Sequence, residues 1–150
     1  MEATLKIWET NRNNYLKHFN YSLEQLNHIP QGFSNNLIWN LGHIVAIQQR
    51  LLYRGSGLPM NISDEFFETY KPGSKPTGKT TQAEADEIKT LLTSMIDVTK
   101  RDLAAGKFTN YTAFTSLTGF HIGNLNDAIQ FNNYHEAMHL GFMANIRKFV

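Results

Sequence analysis

The chain of 150 residues contains no cysteine. That excludes a disulfide framework, a thiolate zinc site and a protein thiol nucleophile, so any thiol chemistry must use a thiol that arrives with a substrate. A large excess of either charge is also missing. Fourteen Lys and Arg nearly balance thirteen Asp and Glu, and a net charge of +1 gives no electrostatic case for nucleic acid or an anionic membrane surface as partner. No apolar run approaches the roughly 20 residues that span a bilayer. The opening stretch, Met1 to Trp8, lacks the apolar core of a secretory leader. The expected compartment is the cytoplasm.

What is present has the make-up of an ordinary globular domain, 41% hydrophobic and 18% charged. A chain of this size is expected to form one domain over residues 1–150. Strand signals are weak, apart from a stretch between Phe108 and Leu117 that can briefly extend. Helical signals dominate. Leu5, Trp8, Tyr15, Leu16 and Phe19 recur at helical spacing and predict a first helix over Glu2 to Phe19, broken near Asn20. Ser22 and Gln25 form the pattern of a capping box ahead of a short turn, Leu23 to His28, which Pro30 closes. A second long helix is predicted from about Asn36 to Arg54, with Ser34 or Asn35 as cap and Gly55 just past its end. The third starts at a capping box, Thr81 with Glu84, and stops at Gly106. The fourth runs from near Asn124 almost to Val150.

Pro59, Pro72 and Pro76 fall in the connection 55–80, which also has room for a short helical turn around Asp64 to Tyr70. A connection this long is not needed between antiparallel neighbours. It can run the length of a bundle and allow the second and third long helices to be parallel. The fold class expected is all-α, a four-helix bundle with a long crossover between helices 2 and 3.

Six histidines carry the chemical signal. His135 and His139 are four residues apart on the fourth helix, hence about 40° apart around it and one turn apart along it. Two imidazoles placed so can bind one metal ion from the same face. Both lie on the apolar face, with Leu125, Ala128, Phe131, Phe142 and Ile146. A pair of unpartnered polar rings is costly to bury there, and a metal satisfies both. Neutral imidazole suits zinc, nickel, copper or iron. His43 has the same character, set mid-helix within Leu41-Gly42-His43-Ile44-Val45. Gly42 costs roughly 1 kcal/mol of helix stability relative to Ala, which points to something approaching closely at that position. His43 is the best third ligand. His18 and His121 are the next candidates, and His28, just before Pro30, is expected to be solvated.

His135-Glu136-Ala137-Met138-His139 also matches the H-E-x-x-H pattern of zinc proteases, with Glu136 as general base. The pattern breaks downstream. The segment Leu140 to Val150 offers no Asp, Glu or His as third ligand, and the metzincin extension would need Gly and His where Phe142 and Asn145 stand. On a helix, the residue after His135 points about 100° away from it, so Glu136 is expected to face solvent or a partner.

With these residues in view, the chain resembles the DinB/YfiT-like superfamily over nearly its whole length. Asn36-Leu37-Ile38-Trp39-Asn40-Leu41-Gly42-His43-Ile44 looks like the family's second helix, with a Trp four residues before a ligand His. Tyr134-His135-Glu136-Ala137-Met138-His139-Leu140-Gly141 looks like the start of its H-x-x-x-H helix, and Thr118-Gly119 and Leu125 fit the stretch leading into it. One departure is visible: many members carry Gln after the Gly, and here that residue is Phe142. The resemblance implies a four-helix bundle with parallel second and third helices, a site of His43, His135 and His139 for a divalent ion (zinc or nickel, with iron and manganese as further candidates), and often a homodimer. It also implies thiol-dependent transferase or isomerase chemistry with low-molecular-weight thiols in some members. Three His ligands leave at least one metal position open, as in catalytic sites. Such an ion can bring the pKa of bound water toward ~7 or bind a thiol as thiolate. Two function classes follow: a metal-dependent S-transferase or hydrolase acting on a small molecule, or a metal-binding module without turnover.

Overall fold

The computed structural model describes residues 1–150. Six α-helices make up most of it: α1 Glu2–Leu16, α2 Leu23–Asn27, α3 Leu37–Leu52, α4 Asp64–Tyr70, α5 Gln82–Ala104 and α6 Leu125–Ile146. The expected all-α class holds. The long helices α1, α3, α5 and α6 form the bundle, and the break after α1 is a 3₁₀ turn over Lys17–Asn20. A two-residue hairpin, β1 Phe114–Thr115 and β2 His121–Ile122, pairs Phe114 with Ile122 ahead of α6. The brief extension is therefore real but much shorter than the stretch proposed for it. No helix is long and apolar enough to cross a membrane.

Both capping boxes form as the sequence indicated, Ser22 with Gln25 and Thr81 with Glu84. Helix α3 starts one residue later than expected. Asn36, not Ser34 or Asn35, accepts the Trp39 N–H at 2.9 Å, while its amide donates to the Asn27 carbonyl at 3.0 Å. That second bond ties the cap to α2, a choice that local sequence cannot reveal. Every residue of α3 except Arg50 is buried, so it is the central helix of the molecule.

Side-chain pairs give the directions. Lys100 pairs with Glu9, and the Lys89 ammonium lies over the Phe19 ring, so α1 and α5 are antiparallel. Asn133 donates to the Thr4 carbonyl, and Glu136 receives Trp8 and Arg12, so α1 and α6 run together. Gln48 meets Thr99, and Tyr53 donates to Asp102, so α3 and α5 are parallel. The crossover makes this possible by running back along α3. Asn61 N–H donates to Gln49 Oε1 at 2.7 Å, the Tyr70 carbonyl meets His43, and Ser74 Oγ accepts from Trp39 Nε1. Asn27 then clamps Thr80 through both amide groups, returning the chain to the start of the bundle for α5.

The core divides into two apolar clusters. One holds Tyr15, the apolar residues of α3 from Leu37 to Ala46, Leu92, Met143 and Ile146. The other holds Trp8, Ile47, Leu51, Ile96 and Ile129. Along α1 and α6 the residues between these clusters are polar and buried: Arg12, Asn132, His135, Glu136 and His139. A polar layer thus crosses the bundle, and the candidate site lies in it.

Candidate metal centre

Helix α6 is set by Asn124, whose side chain accepts the Asp127 N–H at 3.0 Å. From there the helical repeat turns His135 and His139 toward α3, where His43 faces them. One nitrogen from each of His43, His135 and His139 lies within 4.8 Å of the others. Ring centroids are 5.2 Å apart for His43 and His135, 4.8 Å for His43 and His139, and 4.5 Å for His135 and His139. The three residues are nearly covered, His43 6%, His135 9% and His139 7% exposed.

Two of the rings are aimed by acceptors. His43 Nδ1 lies 2.7 Å from the Tyr70 carbonyl oxygen, which can only accept. The proton therefore sits on Nδ1, and Nε2 keeps its lone pair. His139 Nδ1 lies 2.7 Å from Asn40 Oδ1. The Asn40 amide nitrogen donates to the Asn36 carbonyl at 2.7 Å and to Asn35 Oδ1 at 3.0 Å, which fixes Oδ1 as the atom facing His139. His139 likewise presents a bare Nε2. The Nδ1 of His135 is buried with no hydrogen-bond partner. Trp39 stacks on His43 at 4.6 Å and 15°, which holds the ring in plane.

Burial keeps all three rings neutral. Removal from water pushes His43 down to about 4. Burial, with repulsion from His43, takes His139 to about 3. Burial, with repulsion from His139, His43 and Arg12, takes His135 to about 2. Neutral imidazoles with free lone pairs, an orphaned ring nitrogen among them, and second-sphere acceptors on two Nδ1–H groups form the donor set that a divalent ion requires. These residues fit a metal.

Glu136 is placed differently from expectation. It is fully buried and not directed to solvent or a partner. Its Oε1 accepts from Trp8 Nε1 at 2.8 Å, Arg12 Nη2 at 2.7 Å and Asn132 Nδ2 at 2.9 Å. Arg12 Nε spans both carboxylate oxygens, and Arg12 Nη1 reaches the Leu92 carbonyl. The rotation of about 100° from His135 does occur. In a bundle that rotation leads to a second neighbour, α1, and not to water. Burial pushes the Glu136 carboxyl up, while Arg12, Asn132 and Trp8 draw it down. The carboxylate is not part of the histidine group.

The other histidines stand apart. His18 is buried and gives its Nδ1–H to the Tyr15 carbonyl at 3.1 Å. His121 is exposed on β2, and His28 is exposed as expected. Gly42 meets the close approach that its cost suggested: a Cβ there would lie 2.6 Å from the Tyr70 ring. Tyr70 can supply its carbonyl to His43 only because position 42 has no side chain. Sequence reasoning missed Asn40, Arg12 and the Tyr70 carbonyl. Asn40 lies three residues before His43 on the same helical face, and Arg12 is a cation at helical spacing between Trp8 and Tyr15. Both signals were available. The Tyr70 carbonyl, a backbone atom on a loop-borne helix, left none.

No curated protein matches the chain. The family model of the DinB superfamily matches residues 7–143, which takes in all three histidines. This chain belongs to the DinB superfamily.

Proposed function

We propose that His43, His135 and His139 together hold one divalent metal ion, zinc or nickel first, and that the protein is a metal-dependent enzyme acting on a small molecule by S-transfer or hydrolysis. The observation that carries this reading is the convergence of three neutral imidazoles, two with their Nδ1–H groups already committed. Held by His43, His135 and His139, a divalent ion would leave room for a further ligand and would supply a nucleophile near neutral pH, either water or a thiol as thiolate. The chain's own part is to keep the imidazoles unprotonated, to aim two of them through Tyr70 and Asn40, and to limit water at the site. With no cysteine in the protein, a thiol would be a low-molecular-weight one brought as co-substrate.

Glu136 supports this site from behind. To act as general base it would have to abandon Arg12, Trp8 and Asn132, so we assign it a positioning role. The same bonds leave no carboxylate for the water of an H-E-x-x-H peptidase. They also favour a second reading, a metal-binding module without turnover, because no carboxylate joins the histidine group. The two readings separate experimentally. Protein purified without an affinity tag should carry close to one ion per chain, and His139→Ala should carry almost none. A screen of thiols against small electrophiles, run with the metal-loaded protein, should give turnover that His139→Ala lacks. Stoichiometric metal without turnover in that screen favours the module. A homodimer is part of the proposal, and sedimentation showing only a 17.2 kDa species would remove it.

A further inference from the structure

The Phe142 ring touches the site. The centroids of Phe142 and His139 are 5.4 Å apart with the planes at 89°, an edge contact onto a proposed metal ligand. Phe142 is 51% exposed, whereas the three histidines are nearly covered. A helical side chain leans over the turn before its own Cα. At position 142 that turn carries Met138 and His139, so the half-exposed phenyl group leans over His139.

The flank near His43 is aromatic as well. Trp39 lies face to face with His43, is 7% exposed, and has its Nε1–H directed to Ser74 Oγ. No carboxylate shares the histidine group, and Arg12, the nearest interior cation, is buried against Glu136. A ligand that reaches His139 from solvent therefore meets the exposed Phe142 ring beside it. A single exposed Phe is ordinary on a protein surface. One seated edge-on against a candidate ligand ring is part of that ligand's surroundings.

We propose that Phe142 is the apolar wall of a substrate subsite beside the ion, and that this subsite selects molecules with an aryl or alkyl group adjacent to the atom that binds the metal. The proposal rests on the metal reading above and names the substrate class for that site. A phenyl group laid against Phe142 gains apolar contact and edge or offset stacking. A Gln side chain at this position would offer an amide and lose that contact.

The test uses the zinc-loaded full chain and two probes that share one metal-binding group, imidazole and 4-phenylimidazole, titrated by calorimetry. The wild-type protein should bind the phenyl probe about tenfold more tightly than imidazole. In Phe142→Gln the ratio should fall to about twofold or less, and Phe142→Leu should lie between them. Zinc content and zinc affinity should match wild type in both variants. A ratio near one in the wild-type protein overturns the subsite, as does a ratio that persists in Phe142→Gln. Failure of the metal reading looks different: the wild-type protein then retains no zinc and binds neither probe through it, which removes both proposals. If Phe142→Gln instead converts a dimer to monomer with the ratio unchanged, Phe142 belongs to a subunit interface and the subsite is overturned.

Discussion

Arg12 and Glu136 meet at 2.7 Å with side chains only 1% and 0% exposed, linking α1 to α6 one residue from a proposed metal ligand. Two charges so deep cost several kcal/mol each to desolvate, and the return depends on complete hydrogen bonding. Here it is nearly complete: the carboxylate takes bonds from Arg12, Trp8 and Asn132, and the remaining guanidinium nitrogen finds the Leu92 carbonyl. Tyr15 adds a bond from its hydroxyl to the Glu136 backbone carbonyl. The network fixes the rotation of α6 about its axis, and with it the direction of His135 and His139.

Removing one partner should be far worse than removing both. Arg12→Met strands a buried carboxylate and is expected to lower unfolding free energy by about 3–5 kcal/mol, measured by denaturant titration. Arg12→Met combined with Glu136→Leu should recover a large part of that loss. A single variant as stable as wild type would mean that the pair carries no structural weight.

The glycines of the two histidine helices make a matched pair. A Cβ at Gly42 collides with the Tyr70 ring, whereas a Cβ at Gly141 meets nothing within 4 Å. Gly141→Ala should therefore stabilise by up to roughly 1 kcal/mol through helix propensity alone. Gly42→Ala should destabilise by about 1–3 kcal/mol despite the same propensity gain, because the packed ring must move. It should also weaken metal binding, since the Tyr70 carbonyl moves with its ring. Thermal melts of the two variants side by side check the sign.

Asn40 should matter to the ion without touching it. Asn40→Ala removes the acceptor that orients His139 and is expected to reduce metal affinity about 10–100-fold, while His139→Ala abolishes stoichiometric binding. Competition with a chromophoric chelator measures both. Equal affinities for wild type and Asn40→Ala would show that His139 needs no orienting partner.

Acid should unfold the metal-free protein early. The three imidazoles titrate near 6.5 in an unfolded chain but are held at about 4, 2 and 3 in the fold for His43, His135 and His139, mainly by burial. His18 is shifted in the same direction. Between the folded and unfolded values the unfolded chain binds more protons, so stability rises with pH. It is fully present above about 6.5 and is lost as pH falls below that, at up to roughly 1.4 kcal/mol per pH unit for each such ring. Melting temperatures of metal-free protein should be level above neutrality and drop between pH 6.5 and about 4.5. A flat profile across that window would falsify the neutral, buried assignment.

Much of this is legible in the sequence. The capping boxes marked the starts of α2 and α5 because their partners lie three residues apart. The i, i+4 histidines and the costly Gly42 marked the site because both signals are local to a helix. The parts that escaped were tertiary. Three consecutive cap-forming residues, Ser34, Asn35 and Asn36, cannot be ranked without the Asn27 carbonyl that selects Asn36. Glu136 was turned to solvent on a correct rotation, because which helix stands 100° from His135 is a property of the whole bundle. Arg12 puts a charge on the apolar face that Trp8 and Tyr15 mark, but the partner that explains it stands 124 residues away.

The groups that shape the histidine cluster come from positions 40, 43, 70, 135 and 139. A chain still being synthesised, with α1 through α5 complete, owns a single one of the three imidazoles, because the other two stand on α6. Any ion held by all three therefore needs the last helix docked on α3, so the full ligand set exists only in the assembled bundle.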